Sequence, residues 1–386
     1  MTESEQIGKN RKYNFLFISA PFGGIEVLCK NIQKVVDTKN DIEATWMWID
    51  FQPKDFIARI PPISLNWTLK GGMIARTRLK KLEREGKSFD AVFANHTIPL
   101  MFLQRFRKNV PIILSLDITP ELLQPYNLWY RGKSSNSQSF GSGIKHSMTR
   151  NVYNDASYIL PWSQLVKRSL VNDYGVDTKK IEVVPPGIDV HQWNQSENND
   201  GKKDQDSIHI LFVGGDFLRK GGDLLLRVAA RTEFQKCKFH FVTRSFQGMA
   251  GDNVQVYDNV QANSGELLGL YKMADIFALP TRADLSPAAL CEAMAFRLPV
   301  VATNVGGLDE IILDGKNGFI VPADEEEEFA LRLKTLVGSK ELRVEFGRSG
   351  RALVEEKYDI QKNAEIILDY MKRAVHNNDD RKIIAS

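Results

Sequence analysis

The feature that most constrains the fold is a pattern that occurs twice: an apolar strand, a glycine-containing turn and a helix. The first copy covers residues 13–37, and the second begins with the apolar run IHILFV at residues 208–213. This order of elements begins a Rossmann-like domain, in which parallel strands alternate with helices. Its occurrence near the start of the chain and again past the middle predicts an α/β protein with two such domains.

The glycines of the two turns are candidate backbone contacts for a ligand, either a phosphate or, at the first turn, an acceptor. Each turn contains a glycine pair, Gly23-Gly24 in the first copy and Gly214-Gly215 in the second. A residue without a side chain lets a ligand approach the main-chain N–H groups closely. We therefore assign all four glycines to a binding site, with a pair that only reverses the chain as the alternative.

Length and composition fit two soluble domains. The chain has 386 residues, of which 43% are hydrophobic and 26% charged, as is typical of globular proteins. No apolar run approaches the ~18 residues of a membrane helix, and the first residues are polar, so we expect neither a membrane span nor a signal peptide. The three cysteines are far apart, which indicates reduced thiols and a cytoplasmic location. Because no His, Cys or Asp spacing suits a metal, we expect no metal ligands and no cofactor.

A polar stretch divides the chain. Residues 194–206, NQSENNDGKKDQD, contain no apolar side chain and are typical of a linker. The predicted domains are therefore residues 1–193 and residues 207–358. An amphipathic pattern over residues 359–376 predicts a terminal helix. Residues 129–149 are polar and rich in Ser and Gly, and we expect a mobile, substrate-facing loop there.

Charge is divided unevenly between the two halves. Residues 1–190 carry 26 Lys and Arg against 18 Asp and Glu, a balance of +8, and the remainder carries 25 against 30, a balance of −5. The basic half suggests contact with an anionic partner, either a phospholipid surface or a phosphate-bearing substrate; a solvated surface is the alternative. The total of only +3 and the lack of a readout motif argue against nucleic acid.

One stretch of the basic half mixes cations with leucines. Its basic residues are Lys70, Arg76, Arg78, Lys80, Lys81, Arg84 and Lys87. One interpretation is an interfacial amphipathic segment that holds the protein on an anionic membrane leaflet. The other is a helix that packs through its leucines and keeps its basic residues in water.

The stretch from residue 275 to residue 303 predicts a strand, a helix and a second strand. Ser286 followed by Pro287 is a helix-start signal, with Ser as the N-cap and Pro at the first helical position. The first free backbone donors of this helix are then those of Ala288 and Ala289, whose small side chains let an anion approach. We therefore assign Ser286, Ala288 and Ala289 to the binding of a phosphate.

Charged side chains flank this helix start and the second glycine turn. Asp284 precedes the helix and Glu292 lies in its second turn, where each could accept hydrogen bonds from sugar hydroxyls. Arg219 and Lys220 stand before another predicted helix, and two cations there oppose the helix dipole unless an anion lies between. We interpret the cations as diphosphate ligands. A surface pair, and acids that only cap a helix or are solvated, are the alternatives.

Together these motifs resemble the donor-binding signature of the retaining glycosyltransferases of family 4. The matching residues are Asp284, Glu292-Ala293-Met294-Ala295, Pro299-Val300-Val301-Ala302-Thr303, Gly306-Gly307, Lys220-Gly221, Gly23-Gly24 and Glu26. The chain departs from the family pattern with Asp284 in place of Glu and with Pro287 and Arg297 in place of Gly. Gly215 also replaces an arginine, for which Arg219 would substitute from a different position.

The resemblance implies an architecture and an activity. The architecture is GT-B, two Rossmann-like domains that face each other across a cleft, with the terminal helix crossing back to the first domain. The activity is transfer of a sugar from a nucleotide-diphosphate sugar, with UDP or GDP as the nucleotide, and with retention. The implied acceptor is a glycan or a lipid-linked acceptor in cell-envelope polysaccharide synthesis.

The resemblance also implies roles for individual residues of the donor site. Glu292 would accept hydrogen bonds from the ribose, and Asp284 from the donor sugar. Arg219 and Lys220 would hold the diphosphate and stabilise its charge as it leaves. Arg244 lies where the family holds the nucleobase.

In the first domain the resemblance supplies one catalytic residue. His96 and Asp117 each follow a predicted strand, and in open parallel sheets ligands gather at the carboxyl ends of strands. The family commonly has a histidine near the second of these places, but residues 115–120, SLDITP, contain none. Only Asp117 is therefore carried over as a catalytic residue.

Two alternatives from other classes remain open. One is a catalytically inactive relative that binds a nucleotide sugar or glycan, which the departures at Asp284, Pro287 and Arg297 favour. The other is a nucleotide-sugar epimerase or a phosphorylase built on the same two-domain plan. A dinucleotide oxidoreductase is excluded, because neither glycine turn continues as G-x-G-x-x-G with an acid about 20 residues further on.

Overall fold

The computed structural model describes residues 11–20, 24–50, 66–131, 142–194, 207–285 and 288–385. The strands are β1 (Tyr13–Ser19), β2 (Ile42–Trp48), β3 (Ala91–Ala94), β4 (Ile112–Leu116), β5 (Tyr158–Pro161), β6 (Ile208–Val213), β7 (Cys237–Val242), β8 (Val254–Tyr257), β9 (Ile276–Leu279), β10 (Val300–Thr303) and β11 (Gly318–Val321). The helices are α1 (Gly24–Val36), α2 (Trp67–Arg84), α3 (Gln104–Asn109), α4 (Pro120–Leu123), α5 (Asn127–Arg131), α6 (Ser142–Asp155), α7 (Gln164–Asn172), α8 (Gly222–Ala229), α9 (Gly265–Met273), α10 (Ala288–Ala295), α11 (Glu326–Gly338), α12 (Lys340–Lys357) and α13 (Ile360–Ala385). Short 3-10 turns occupy Ile98–Leu100, Gln124–Tyr126, Thr178–Lys180, Thr232–Phe234 and Leu308–Glu310.

The chain divides into two compact units. Unit 1 comprises Met1–Gln124, Lys133–Pro185 and Ile360–Ser386, and unit 2 comprises Pro125–Gly132 and Pro186–Asp359. This division falls before the predicted boundary at residue 193, because the preceding segment packs on unit 2. Trp193 is buried in the core of that unit, and Arg351 donates a hydrogen bond to its carbonyl at 2.6 Å. Residues 195–206 of the predicted linker lie outside the described residues.

Unit 1 is built on a parallel sheet in the order β2-β1-β3-β4-β5. Every residue of β3 and β4 is buried, which explains their predominantly apolar sequences, since helices cover both faces of such sheets. The order changes direction between β1 and β3. Helix α13 packs on this unit through an apolar face spaced at helical intervals, with Ala364, Leu368 and Met371 in the core.

The burial pattern of helix α2 distinguishes between the two interpretations of the basic stretch that contains leucines. Ile74, Ala75 and Leu79 are buried in the core of unit 1, whereas Arg76, Lys80 and Arg84, spaced four residues apart, form an exposed basic stripe. The leucine face is therefore occupied by protein, and insertion of that face into a membrane is the wrong interpretation. Within the described part of the chain, no helix has both the length and the apolarity to span a bilayer.

Unit 2 is built on a second parallel sheet, in the order β11-β10-β9-β6-β7-β8. The chain begins at β6, runs outward through β7 and β8, and then returns to continue on the other side from β9. The order therefore reverses between β6 and β9, which are neighbours in the sheet. In open α/β sheets ligands bind outside the carboxyl ends of the strands at such a reversal.

The loop predicted for residues 129–149 is wrong over the part that the structure describes. Helix α5 ends at Arg131, and helix α6 begins at Ser142. Val152 and Tyr153 of α6 are buried in the core of unit 1, and Met148 packs against it. Tertiary packing of these few apolar residues stabilises a helix whose sequence is otherwise polar.

Candidate functional site

Two loops meet at the reversal point of the unit 2 sheet. One follows β6, and the other follows β9. Gly221, in the first loop, has a φ of +75°, and a Cβ placed there would lie 1.8 Å from the carbonyl oxygen of Pro280 in the second loop. A Cβ at Gly214 would lie 2.9 Å from side-chain atoms of Lys220. Both glycines are therefore needed for close packing, and this packing sets the position of the residues between them.

Arg219 is the residue that links the two loops most directly. Its carbonyl accepts hydrogen bonds from the Arg282 N–H at 2.9 Å and the Thr281 hydroxyl at 3.3 Å. Its guanidinium donates from Nη1 to the Ala283 carbonyl at 2.7 Å and from Nε to Asp216 at 3.2 Å. A guanidinium has five N–H donors, so three are left without a protein acceptor among the described residues. These remaining donors are suited to an anion.

Lys220 and Asp284 form an ion pair. Their side chains are only 13% and 9% exposed, so the pair is largely shielded from water, where charge–charge attraction is stronger. The other carboxylate oxygen of Asp284 accepts a hydrogen bond from the Leu285 N–H at 3.0 Å. The structure thus brings together a predicted diphosphate ligand and a predicted sugar ligand, each paired with the other.

Glu292 lies on α10 and has an aromatic partner. The Tyr271 hydroxyl donates a hydrogen bond to its carboxylate at 2.8 Å. Burial of the carboxyl raises the pKa of Glu292 to about 7, against the lowering effect of the Tyr271 hydroxyl. A carboxyl group with this pKa changes its charge near neutral pH, which is typical of functional sites.

The start of α10 and the loop after β10 complete this edge of unit 2. Ala288 and Ala289 form the first turn of α10, and Ala288 is exposed; Ser286 and Pro287 lie outside the described residues. Gly306 has a φ of +59°, and a Cβ there would lie 1.7 Å from the carbonyl oxygen of Asp284. The loop after β10 therefore packs directly against the backbone of Asp284.

Gly215, in the loop after β6, and Arg244 are two further predicted residues of the site. A Cβ at Gly215 would have no heavy atom within 4 Å, so this position faces open space, as a ligand approach requires. Arg244 follows β7, the neighbour of β6 in the sheet. Its guanidinium is exposed and donates to Gln261 at 3.5 Å. Both predicted residues are on the same edge of unit 2 as Arg219.

The predicted residues of the first domain belong to unit 1. Gly24 begins α1, and Gly23 lies outside the described residues. Asp117 follows β4, and burial raises its pKa to about 6, against hydrogen bonds from the backbone. Burial and the charge of Lys145 lower the pKa of His96, after β3, to about 4. Asp117 is thus the one predicted catalytic residue outside unit 2.

Sequence reasoning missed several neighbours of the site. No sequence motif indicated Tyr271, because its partner Glu292 is 21 residues away. Arg282 binds Asp223 through both Nη atoms, at 2.5 and 2.9 Å. The segment around α5 contributes Trp129 and Tyr130, whose rings lie over the Arg282 and Arg219 guanidiniums. Among the described residues, no group of three or more His, Cys, Asp or Glu could hold a metal ion.

Two protein-family models match the chain. The Glycosyltransferase Family 4 model matches residues 36–192, and the Glycosyl transferases group 1 model matches residues 194–353. The two matches adjoin, and together they cover well over half of the chain. The first ends and the second begins close to the start of the polar stretch that was predicted as the linker.

Curated relatives match part of the chain. D-inositol 3-phosphate glycosyltransferase of Paenarthrobacter aurescens is 29% identical over 224 residues, 53% of this chain and 55% of that protein. An uncharacterized 41.2 kDa protein in the cps region of Klebsiella pneumoniae is 30% identical over 157 residues, 39% of this chain and 43% of that protein. The chain therefore spans about half the length, or less, of these relatives.

Solved structures match nearly the whole chain. Sucrose-phosphate synthase from Thermosynechococcus elongatus has a TM-score of 0.74 at 14% identity and covers 94% of this chain and 99% of its own. HepE from Anabaena, solved in complex with UDP-glucose, has a TM-score of 0.67 at 16% identity and covers 94% and 100%. At these identities the similarity shows the fold alone. The two adjoining family matches support a GT-B glycosyltransferase, and the solved structures show the GT-B fold.

Proposed function

We propose that the protein is a retaining glycosyltransferase of family 4 that moves a sugar from a nucleotide-diphosphate sugar to a hydroxyl acceptor. The observation that carries this proposal is the meeting of Arg219, Lys220 and Asp284 at the reversal point of the unit 2 sheet. Cations with unused donors suit a diphosphate, and an adjacent carboxylate suits sugar hydroxyls.

In this proposal the bound donor breaks the ion pair between Lys220 and Asp284 and binds both side chains instead. The diphosphate binds the unused N–H donors of Arg219 and attracts Lys220 away from Asp284. The freed carboxylate of Asp284 then accepts hydrogen bonds from the donor sugar. Because the same exchange neutralises the phosphates, the site stabilises the negative charge that develops on the diphosphate as the bond to the anomeric carbon breaks.

Glu292 and Arg244 would hold the nucleoside. The hydroxyl of Tyr271 fixes one side of the Glu292 carboxylate, which leaves acceptor capacity for the two ribose hydroxyls. Arg244, exposed after β7, would contact the base. UDP and GDP are the proposed nucleotides, and the UDP-glucose complex of HepE supports a uridine nucleotide for a protein of this fold.

The acceptor side is proposed on unit 1. Asp117 would contact a glycan or lipid-linked acceptor in polysaccharide synthesis, and its raised pKa suits a group that exchanges a proton near neutral pH. The basic stripe of α2 would hold the protein against an anionic membrane surface by charge, without insertion. Transfer is proposed to need no metal, so activity should persist in EDTA.

A product assay tests the function. Purified protein is incubated with UDP- and GDP-sugars, with and without lipid-linked glycan acceptors, and the products are separated and their anomeric configuration is determined. The proposal predicts acceptor-dependent release of nucleoside diphosphate and an α-linked product from an α-linked donor. A new sugar nucleotide formed without acceptor would indicate an epimerase, and binding without turnover of any donor would indicate an inactive relative.

Lys220→Ala tests the site within that assay. We expect at least tenfold weaker nucleoside diphosphate binding, because charge-assisted hydrogen bonds contribute about 1.5–3 kcal/mol. Lys316→Ala, at an exposed lysine elsewhere in unit 2, is the matched control. Since Lys220→Ala leaves Asp284 without its partner, the double variant Lys220→Ala/Asp284→Asn separates lost binding from lost folding. Unchanged binding and transfer in both variants would remove the diphosphate assignment.

A further inference from the structure

A short segment leaves unit 1 and joins unit 2 at the candidate site. The chain on either side, Met1–Gln124 and Lys133–Pro185, belongs to unit 1, but Pro125–Gly132 belongs to unit 2. This segment contains helix α5, Asn127–Arg131, and the aromatic residues Tyr126, Trp129 and Tyr130. It lies outside the part of the chain, residues 207–358, that was predicted to bind the donor.

The three aromatic residues contact three different loops of the site. The Tyr130 ring centroid lies 4.9 Å from Cζ of Arg219, in the loop after β6. The Trp129 ring centroid lies 5.4 Å from Cζ of Arg282, in the loop after β9. The hydroxyl of Tyr126 accepts a hydrogen bond at 3.0 Å from the N–H of Gly306, in the loop after β10. The segment therefore covers the loops that carry the candidate ligands.

The contact with Arg219 matters more than the contact with Arg282. Arg282 is already held by Asp223 through two hydrogen bonds and by Asp324 at 2.6 Å, so Trp129 adds little to its position. Arg219 has one carbonyl and the half-exposed Asp216 as its acceptors. The ring of Tyr130 limits the movement of this guanidinium, because a cation is attracted to an aromatic face.

Tyr126 anchors the segment. It packs partly buried against the core of unit 2, and its hydroxyl satisfies the N–H of a glycine that packs on the backbone of Asp284. The position of Tyr130 is therefore set by an attachment that does not involve Arg219. Tyr130 itself remains 42% exposed. It therefore contributes an accessible ring face to the site and is not a core residue.

We infer that Tyr130 is a positioning residue for the donor diphosphate: it holds the Arg219 guanidinium in the orientation that binds phosphate oxygens. The inference rests on the proposed function. It means that the affinity of unit 2 for a nucleoside diphosphate depends on a segment inserted from the sequence of unit 1. It also assigns a role to the aromatic cluster at residues 126–130, which the donor signature does not include.

A double-mutant cycle with titration calorimetry tests the inference on the full chain. The variants are Tyr130→Ala, Arg219→Ala and both together, and the ligands are UDP, GDP and ADP. For whichever diphosphate binds the wild type, we expect Tyr130→Ala to raise Kd about three- to tenfold. In the Arg219→Ala background the same change should alter Kd less than twofold, because its effect passes through Arg219.

Two further variants separate positioning from general structure. Tyr130→Phe keeps the ring and should bind like the wild type, and Leu128→Ala, at an exposed neighbour in α5, should do so as well. Equal losses in the two backgrounds, an equal loss with Phe, or unchanged Kd with Tyr130→Ala would overturn the inference alone. A folded wild type that binds none of the three diphosphates would overturn the proposed function and this inference together.

Discussion

At the scale of single residues, each proposed donor ligand of two pairs is bound to another side chain of the protein. Lys220 with Asp284, and Tyr271 with Glu292, each join a group that suits the donor to a partner inside the protein. The residue types indicated a sugar-nucleotide site from the sequence. The pairs could not be predicted, because their members are separated by 64 and 21 residues and only the folded loops bring them together.

The raised pKa of Glu292 predicts that the stability of the protein depends on pH. Its folded pKa of about 7 lies above the ordinary 4.5, so the folded state holds the proton more tightly than the unfolded state. The free energy of unfolding should therefore fall as the pH rises from about 4.5 to 7 and stay lowered above 7. Glu292→Gln should remove the part of this fall that is due to Glu292, leaving the part due to the raised pKa of Asp117, and should increase the free energy of unfolding at pH 8 by up to about 3 kcal/mol.

Urea unfolding at a series of pH values measures this effect. Glu356→Gln, at an exposed glutamate on α12, is the control and should leave the pH profile of the wild type unchanged. A Glu292→Gln variant that is no more stable than the wild type at pH 8, or whose profile keeps the full decline, would contradict the raised pKa.

At the scale of elements, glycines at the strand ends determine how closely the loops approach. Gly221 and Gly215 are in the same loop but differ in surroundings: a Cβ at Gly221 would lie 1.8 Å from a backbone oxygen, and one at Gly215 would meet nothing within 4 Å. The sequence marked Gly215 as a ligand contact and Gly221 as part of a family motif. It did not reveal which glycine the packing requires.

Alanine substitutions distinguish the two glycines. Gly221→Ala should lower the free energy of unfolding by roughly 2 kcal/mol or more, because it adds a clash to a left-handed backbone. Gly215→Ala should change stability by less than about 0.5 kcal/mol but weaken nucleoside diphosphate binding, because its methyl group enters the open space. Urea unfolding and calorimetric titration measure both effects, and similar stability losses at the two positions would contradict the packing described.

The strands were predictable and much of the surrounding structure was not. The run at residues 208–213 matches β6, because strands buried on both faces are continuously apolar. The stretch predicted as a loop, residues 129–149, contains the end of α5 and most of α6, which were missed because the sequence of α6 is polar and only a few of its residues pack. Arg297 occupies a left-handed conformation, φ +57°, at the end of α10, where the family pattern has Gly; composition did not indicate that strain.

At the scale of the whole molecule, the charge is segregated. The basic excess lies in residues 1–190, and in unit 1 the exposed stripe of α2 contributes Arg76, Lys80 and Arg84. Since the apolar face of that helix is buried in protein, we expect the attraction of this helix to a membrane to be electrostatic. Such attraction adds about 1 kcal/mol per basic residue near an anionic surface.

Sedimentation with lipid vesicles tests this attraction. We expect binding to vesicles that contain phosphatidylglycerol, weaker binding at high salt, and none to phosphatidylcholine alone. Replacing Arg76, Lys80 and Arg84 with Gln should weaken binding by up to about 100-fold, whereas the control set Lys236, Lys334 and Lys340 in unit 2 should have little effect. Equal binding by the two sets of variants would contradict a role for the α2 stripe.

The central claim is that the two phosphates of a sugar nucleotide bind at Arg219 and Lys220. A crystal structure of the protein with UDP, or with GDP if GDP binds more tightly, tests it most directly. The account predicts phosphate oxygens within about 3 Å of both cations, the Lys220–Asp284 pair opened and the ribose hydroxyls on Glu292. A diphosphate bound elsewhere, with that ion pair intact, would contradict it.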